Sequence, residues 1–103
     1  MTSIGYGFCP THPGEILKDE LEARGISQRK LAESIGMSYS VLNEILNGRR
    51  AISTTSALVF EASLNVPADA LMRMQLKYDM QTARENPTLA DRLKRIAQTA
   101  AVL

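Results

Sequence analysis

Two short apolar-periodic stretches joined by a three-residue turn constrain this chain more than anything else in it. Between Ser27 and Gly48, Leu31, Ala32 and Ile35 recur in the first stretch, and Leu42, Ile45 and Leu46 in the second. Spacings of three and four place each set on one side of a helix. Gly36-Met37-Ser38 lies between them. Glycine reaches positive φ at little steric cost, so the chain can turn there without a linker. Ser38 then caps the following helix, as Ser27 caps the preceding one, and Asn47-Gly48 supplies the stop. Two helices of about eight residues around so tight a turn are the signature of a helix-turn-helix, whose second helix projects into a major groove.

On that second helix the face opposite Leu42, Ile45 and Leu46 carries Tyr39, Ser40, Asn43 and Glu44. All four bear hydrogen-bonding atoms and begin at the helix N-terminus, the end that meets base edges. A plain solvated face explains the same residues equally well on this helix alone. Gln28 is placed to brace the recognition helix or to reach a phosphate. Arg49 and Arg50 suit backbone phosphates, or equally serve as partners of the helix dipole. From Ser27 to Arg50 the basic residues Arg29, Lys30, Arg49 and Arg50 face only Glu33 and Glu44. The whole chain nevertheless carries a net charge of only +1, which weakens the electrostatic case for duplex binding. Modest affinity per monomer is expected, with dimerisation needed to bind tightly.

The rest of the chain reads as further helices. A first helix starts near His12-Pro13, with Ile16, Leu17 and Leu21 as its buried stripe and Gly25 as its end. Ser53 caps a fourth, with Ala57, Leu58 and Leu64 buried. A fifth runs from after Val66-Pro67 through Leu71, Met72, Leu76 and Met80 to about Glu85. Asn86-Pro87 restarts the chain as a sixth, with Leu89, Leu93, Ile96 and Ala100 on one face. That stripe either covers the chain's own core or packs on a second subunit, and the spacing demanded by a palindromic site favours the second. The methionines of the fifth helix either fill core gaps or form an adaptable interface. The expected class is all-α: an arm over 1–11, a domain over 12–85 with its helix-turn-helix core at 27–48, and a C-terminal helix over 86–103. The alternation of Ile4, Tyr6 and Phe8 allows a short strand, but a mobile arm is preferred.

Other functions find little support. Cys9 and His12 make two metal ligands at most, so no metal or cofactor is expected. No nucleophile–base–orienter set exists, and His12 has a structural role open to it at the start of the first helix. A single cysteine and the absence of a signal-like or membrane-length apolar run point to a cytoplasmic protein without a membrane partner.

His12-Pro13-Gly14-Glu15-Ile16-Leu17, Ile26-Ser27-Gln28-Arg29-Lys30-Leu31-Ala32, Asn47-Gly48-Arg49-Arg50 with Ile52, and Gln75-Leu76-Lys77-Tyr78-Asp79 together resemble the HigA/VapI antitoxins of the lambda-repressor-like (Xre) group. The match spans about 12–85. The resemblance implies a five-helix repressor-like domain, here with an added C-terminal helix, that dimerises and binds double-stranded operator DNA in its own promoter. It also implies a partner, a HigB-type, RelE-like toxin that cleaves messenger RNA. By position, Tyr39, Ser40, Asn43 and Glu44 would face bases; Gln28, with Ser38, Arg29, Arg49 and Arg50, would brace or touch the backbone. The chain departs from the family's habit at Val59, Glu61, Ala70 and Leu71, so the packing of helices 4 and 5 is inferred less directly. A free-standing repressor, or an interaction module that has lost DNA affinity, would fit the same residues.

Overall fold

The computed structural model describes residues 10–103 and contains six helices: α1 (Pro13–Arg24), α2 (Gln28–Ile35), α3 (Tyr39–Leu46), α4 (Thr54–Leu64), α5 (Ala68–Arg84) and α6 (Pro87–Ala100). No strand occurs among these residues, and the all-α class stands. The pairing foreseen for Ile4, Tyr6 and Phe8, like most of the 1–11 arm, lies outside the described residues.

Local capping chemistry sets the helix ends. Ser27, Ser38 and Ser53 each accept the amide three residues on, those of Lys30, Val41 and Ser56, at 3.1 Å. These bonds satisfy donors that a helix N-terminus otherwise leaves orphaned. Gly25 and Gly36 close α1 and α2 in the left-handed region, at φ 67° and 68°. Asn86 caps α6, its Oδ1 accepting from Thr88 and Leu89. The start of α5 is built differently. Pro67 offers no capping side chain, and Glu61 of α4 accepts the Ala68 amide at 2.9 Å instead. The unusual acid at position 61 thus supplies a cap from a neighbouring helix.

The core is one cluster drawn from α1 to α5: Leu17, Leu21, Leu31, Ala32, Leu42, Ile45, Leu46, Ile52, Ala57, Phe60, Leu64, Ala68 and Leu71. Two sequence assignments fail here. Ile16 is exposed, because the buried face of α1 runs through Pro13, Gly14, Leu17 and Leu21, and Ile16 stands about 100° away from it. Leu58 is 59% exposed, while Phe60, unassigned from the pattern, is completely buried. The run Ala57-Leu58-Val59-Phe60 is apolar throughout, so it carries no phase from which to choose a face. On α5, Met72 packs on the core, whereas Leu76 and Met80 are exposed.

The α6 stripe does not close over this core. No α6 residue is buried, and Leu93 and Ile96 are each half exposed. The radius of gyration is 17.3 Å, with extents of 56 × 32 × 22 Å. A compact chain of this length would have a radius near ~13 Å. The excess reflects the long α5–α6 arm.

Candidate nucleic-acid interface

Helix α3 sits with Leu42, Ile45 and Leu46 against α1 and α2, and this fixes which of its residues point outward. Tyr39 is 42% exposed, and the Arg29 guanidinium lies 4.9 Å from the centre of its ring, a cation–π distance. Ser40 is exposed and Asn43 half-buried. Asn43 Nδ2 donates to Gln28 Oε1 at 2.9 Å, tying the first residue of α2 to the middle of α3. That bond leaves Asn43 Oδ1 and Gln28 Nε2 as a neighbouring acceptor and donor, the pattern that reads an adenine edge. The Ser38 hydroxyl is engaged with the Val41 amide.

Glu44 and Arg50 are held together, with Arg50 Nη2 2.7 Å and Nε 2.8 Å from Glu44 Oε1. In the DNA-free chain, the carboxylate reached from sequence as a base contact is thus occupied in orienting a phosphate candidate. Arg49 is exposed beside it. The structure brings Gln28 to Asn43, Arg29 to Tyr39 and Glu44 to Arg50, and pairs no other residue of this set with Ser40.

The residues that support the turn after α3 were not singled out as functional from sequence. His12 is 4% exposed and is the N-cap of α1, its Nδ1 accepting the Gly14 amide at 2.9 Å. Its ring stands edge-on to Tyr78, with centroids 4.9 Å apart and planes at 84°. Burial pulls the imidazole pKa below its usual value; Asp79, a hydrogen bond to the Arg50 backbone and Glu15 oppose that shift. Gly14 has no Cβ because α1 meets α3 backbone to backbone there: a Cβ would collide with the Ile45 carbonyl. Gln75, also 4% exposed, accepts the Ile52 amide at 2.9 Å through Oε1 and donates to Asp79 through Nε2. These residues occupy two of the strings that carried the family resemblance, and that was the only signal pointing to them. Among the described residues no group of three or more His, Cys, Asp or Glu could hold a metal ion, and no helix is long and apolar enough to cross a membrane. Cys9 lies outside those residues.

The helix-turn-helix family matches residues 17–71, more than half of the chain and all of α2 and α3. The chain belongs to this Xre-type family. Virulence-associated protein I of Dichelobacter nodosus is 36% identical over 76 residues, covering 73% of this chain and 70% of that protein. Antitoxin HigA of Pseudomonas aeruginosa, solved with the higBA promoter, superposes with a TM-score of 0.70 at 34% identity, covering 84% of this chain and 90% of its own. A further Pseudomonas aeruginosa structure, of PA4674 with its operator DNA, gives a TM-score of 0.68 at 36% identity, covering 75% of this chain and 84% of that one. The resemblance to HigA-type antitoxins therefore holds in structure as well as in sequence, over a lambda-repressor-like fold with an added C-terminal helix. The Xre-type family is one of DNA-binding regulators rather than of enzymes.

Proposed function

We propose that this Xre-type chain is an antitoxin that binds operator DNA through α2 and α3, represses its own operon and neutralises a HigB-type, RelE-like toxin. The observation that carries the DNA reading is the outward N-terminal half of α3. There Tyr39, Ser40 and Asn43 are presented, Asn43 is locked to Gln28, and Arg29, Arg49 and Arg50 flank the face. Glu44 joins the base-facing set when a phosphate draws Arg50 away from it, and Ser38 lies at the same edge. The similar HigA, solved with the higBA promoter, supports DNA binding by this chain.

Geometry and exposure both support a dimer. A palindromic operator needs recognition helices ~34 Å apart, and among the described residues the α6 stripe is left largely exposed, with Leu93, Ile96 and Ala100 open and Leu89 partly buried. A second copy packed on that stripe would bury it and set the spacing. No metal, cofactor or catalytic step enters this scheme.

The test is a gel-shift titration with the DNA upstream of the chain's own gene. Ser40→Ala and Asn43→Ala should each cost ~1–3 kcal/mol of operator affinity, with the thermal midpoint kept within a few degrees. Unchanged affinity in both variants refutes the assigned face. Co-expression with the product of the adjacent gene tests the toxin half: co-purification supports the antitoxin, and its absence beside intact operator binding leaves a free-standing repressor.

A further inference from the structure

The turn 47–52, which follows α3 and carries Arg49 and Arg50, is held from several sides. Lys18 of α1 donates to Asn47 Oδ1 at 3.0 Å. The Gly48 amide bonds the Ile45 carbonyl at 3.1 Å, and the Arg49 amide bonds that of Glu44 at 2.8 Å. The Arg50 guanidinium is fixed by Glu44, and the Ile52 amide by Gln75. The His12 ring lies beneath the turn. Its Cγ is 3.6 Å from where a Gly48 Cβ would stand, and the ring faces the turn that carries Arg50. The imidazole therefore has two jobs, since Nδ1 caps α1 while the other side of the ring carries the turn.

We propose that His12 is a positioning residue for DNA binding: wedged between Tyr78 and Gly48, it holds the 47–52 turn so that Arg49 and Arg50 are preset for phosphates. The inference rests on the DNA-binding reading above. Its physical basis is preorganisation. An arginine on a free turn must be ordered when it meets a phosphate, and that ordering subtracts from affinity. Here the backbone of the turn is fixed beforehand by α1 and α5. The clasp also explains why a buried glutamine and a buried histidine are kept so close to this surface: Gln75 Oε1 accepts an amide of the turn while its Nε2 is satisfied by Asp79, and His12 Nδ1 accepts an amide of the helix start below.

The clasp requires neutral imidazole, because Nδ1 must accept the Gly14 amide. The charged groups around it are Asp79 from α5, Glu15, Lys18 and Asp19 from α1, and Arg50 from the turn, with Tyr78 against the ring.

The experiment uses the full chain with two duplexes, the DNA upstream of its own gene and a random sequence of equal length. His12→Asn keeps a capping oxygen for α1 and removes the ring. Leu64→Val is the control, a shortened core side chain at the far end of α4 that lowers the thermal midpoint without touching the turn. His12→Asn should make the plot of log K against log salt shallower by about one per bound subunit. Between about 50 and 200 mM salt, that variant then loses about fourfold less affinity per subunit than the parent chain. Its weakening should be equal on both duplexes, whereas Leu64→Val keeps the parental slope. Lowering the pH below the range where His12 is neutral should weaken binding by the parent, and this pH step should vanish in His12→Asn. An unchanged slope in His12→Asn, or an equal change in Leu64→Val, overturns the clasp while leaving DNA binding in place. A parent chain that binds neither duplex at low salt overturns the DNA reading and the clasp together.

Discussion

Helices α3 and α6 are both amphipathic, yet the fold treats them in opposite ways. In α3 the residues Leu42, Ile45 and Leu46 are buried to within 1%, and the polar face is what the molecule displays. In α6 the apolar stripe is displayed: Leu93 and Ile96 are each 50% exposed, and no residue is buried. Amphipathicity thus states that a helix needs a partner, but not whether that partner lies in the same chain. For α3 it is supplied by α1 and α2. For α6 we have assigned it to a second subunit.

The contrast breaks most visibly on truncation. Leu42→Ala in α3 should lower the unfolding free energy by ~2–5 kcal/mol, since it empties a filled site that cannot fully collapse; urea titration would measure it. Next comes the close approach that seats α1 on α3. Gly14→Ala should cost ~1–3 kcal/mol, because the added Cβ meets the Ile45 carbonyl and the two helices must part. The displayed helix behaves differently. Ile96→Asp should leave the unfolding free energy of the dilute monomer within ~0.5 kcal/mol of the parent. The same change should weaken self-association at least ~tenfold, ~1.4 kcal/mol, by sedimentation. A monomer as destabilised as that of Leu42→Ala would mean that α6 is covered within its own chain.

The smallest effect concerns His12. Its folded-state pKa is lowered, chiefly by burial, so the folded chain favours the neutral ring. That preference contributes stability above the unfolded value near ~6.5 and is lost as pH falls through the lower folded value. Chemical unfolding followed from about pH 7 to about pH 5 should show this loss in the parent and not in His12→Asn. A loss of equal size in both would assign it to carboxylates instead.

How legible a residue was from the sequence depended on the range of its interactions. Ser27, Ser38, Gly25 and Gly36 were readable because a cap acts on amides two or three residues away and a left-handed glycine acts on its own backbone. Leu58 and Phe60 were exchanged because four consecutive apolar residues have no helical phase, and only the position of α5 decides which of them points inward. Gln75 resembles any surface glutamine until Ile52, 23 residues earlier, is placed against it. Glu44 reads as a free carboxylate until the turn brings Arg50 back to it. His12 was accounted for as a helix start, and that is half of its role.

Local chemistry was enough to define six helices, the tight turn between α2 and α3, and the outward face of the recognition helix, because each depends on bonds and periodicities spanning a few residues. The joining of His12, Tyr78 and Gln75 beneath the arginine turn depended on the folded chain. Those residues lie up to 66 positions apart, and no spacing along the chain encodes a meeting that the packing of α1, α3 and α5 around a shared core brings about.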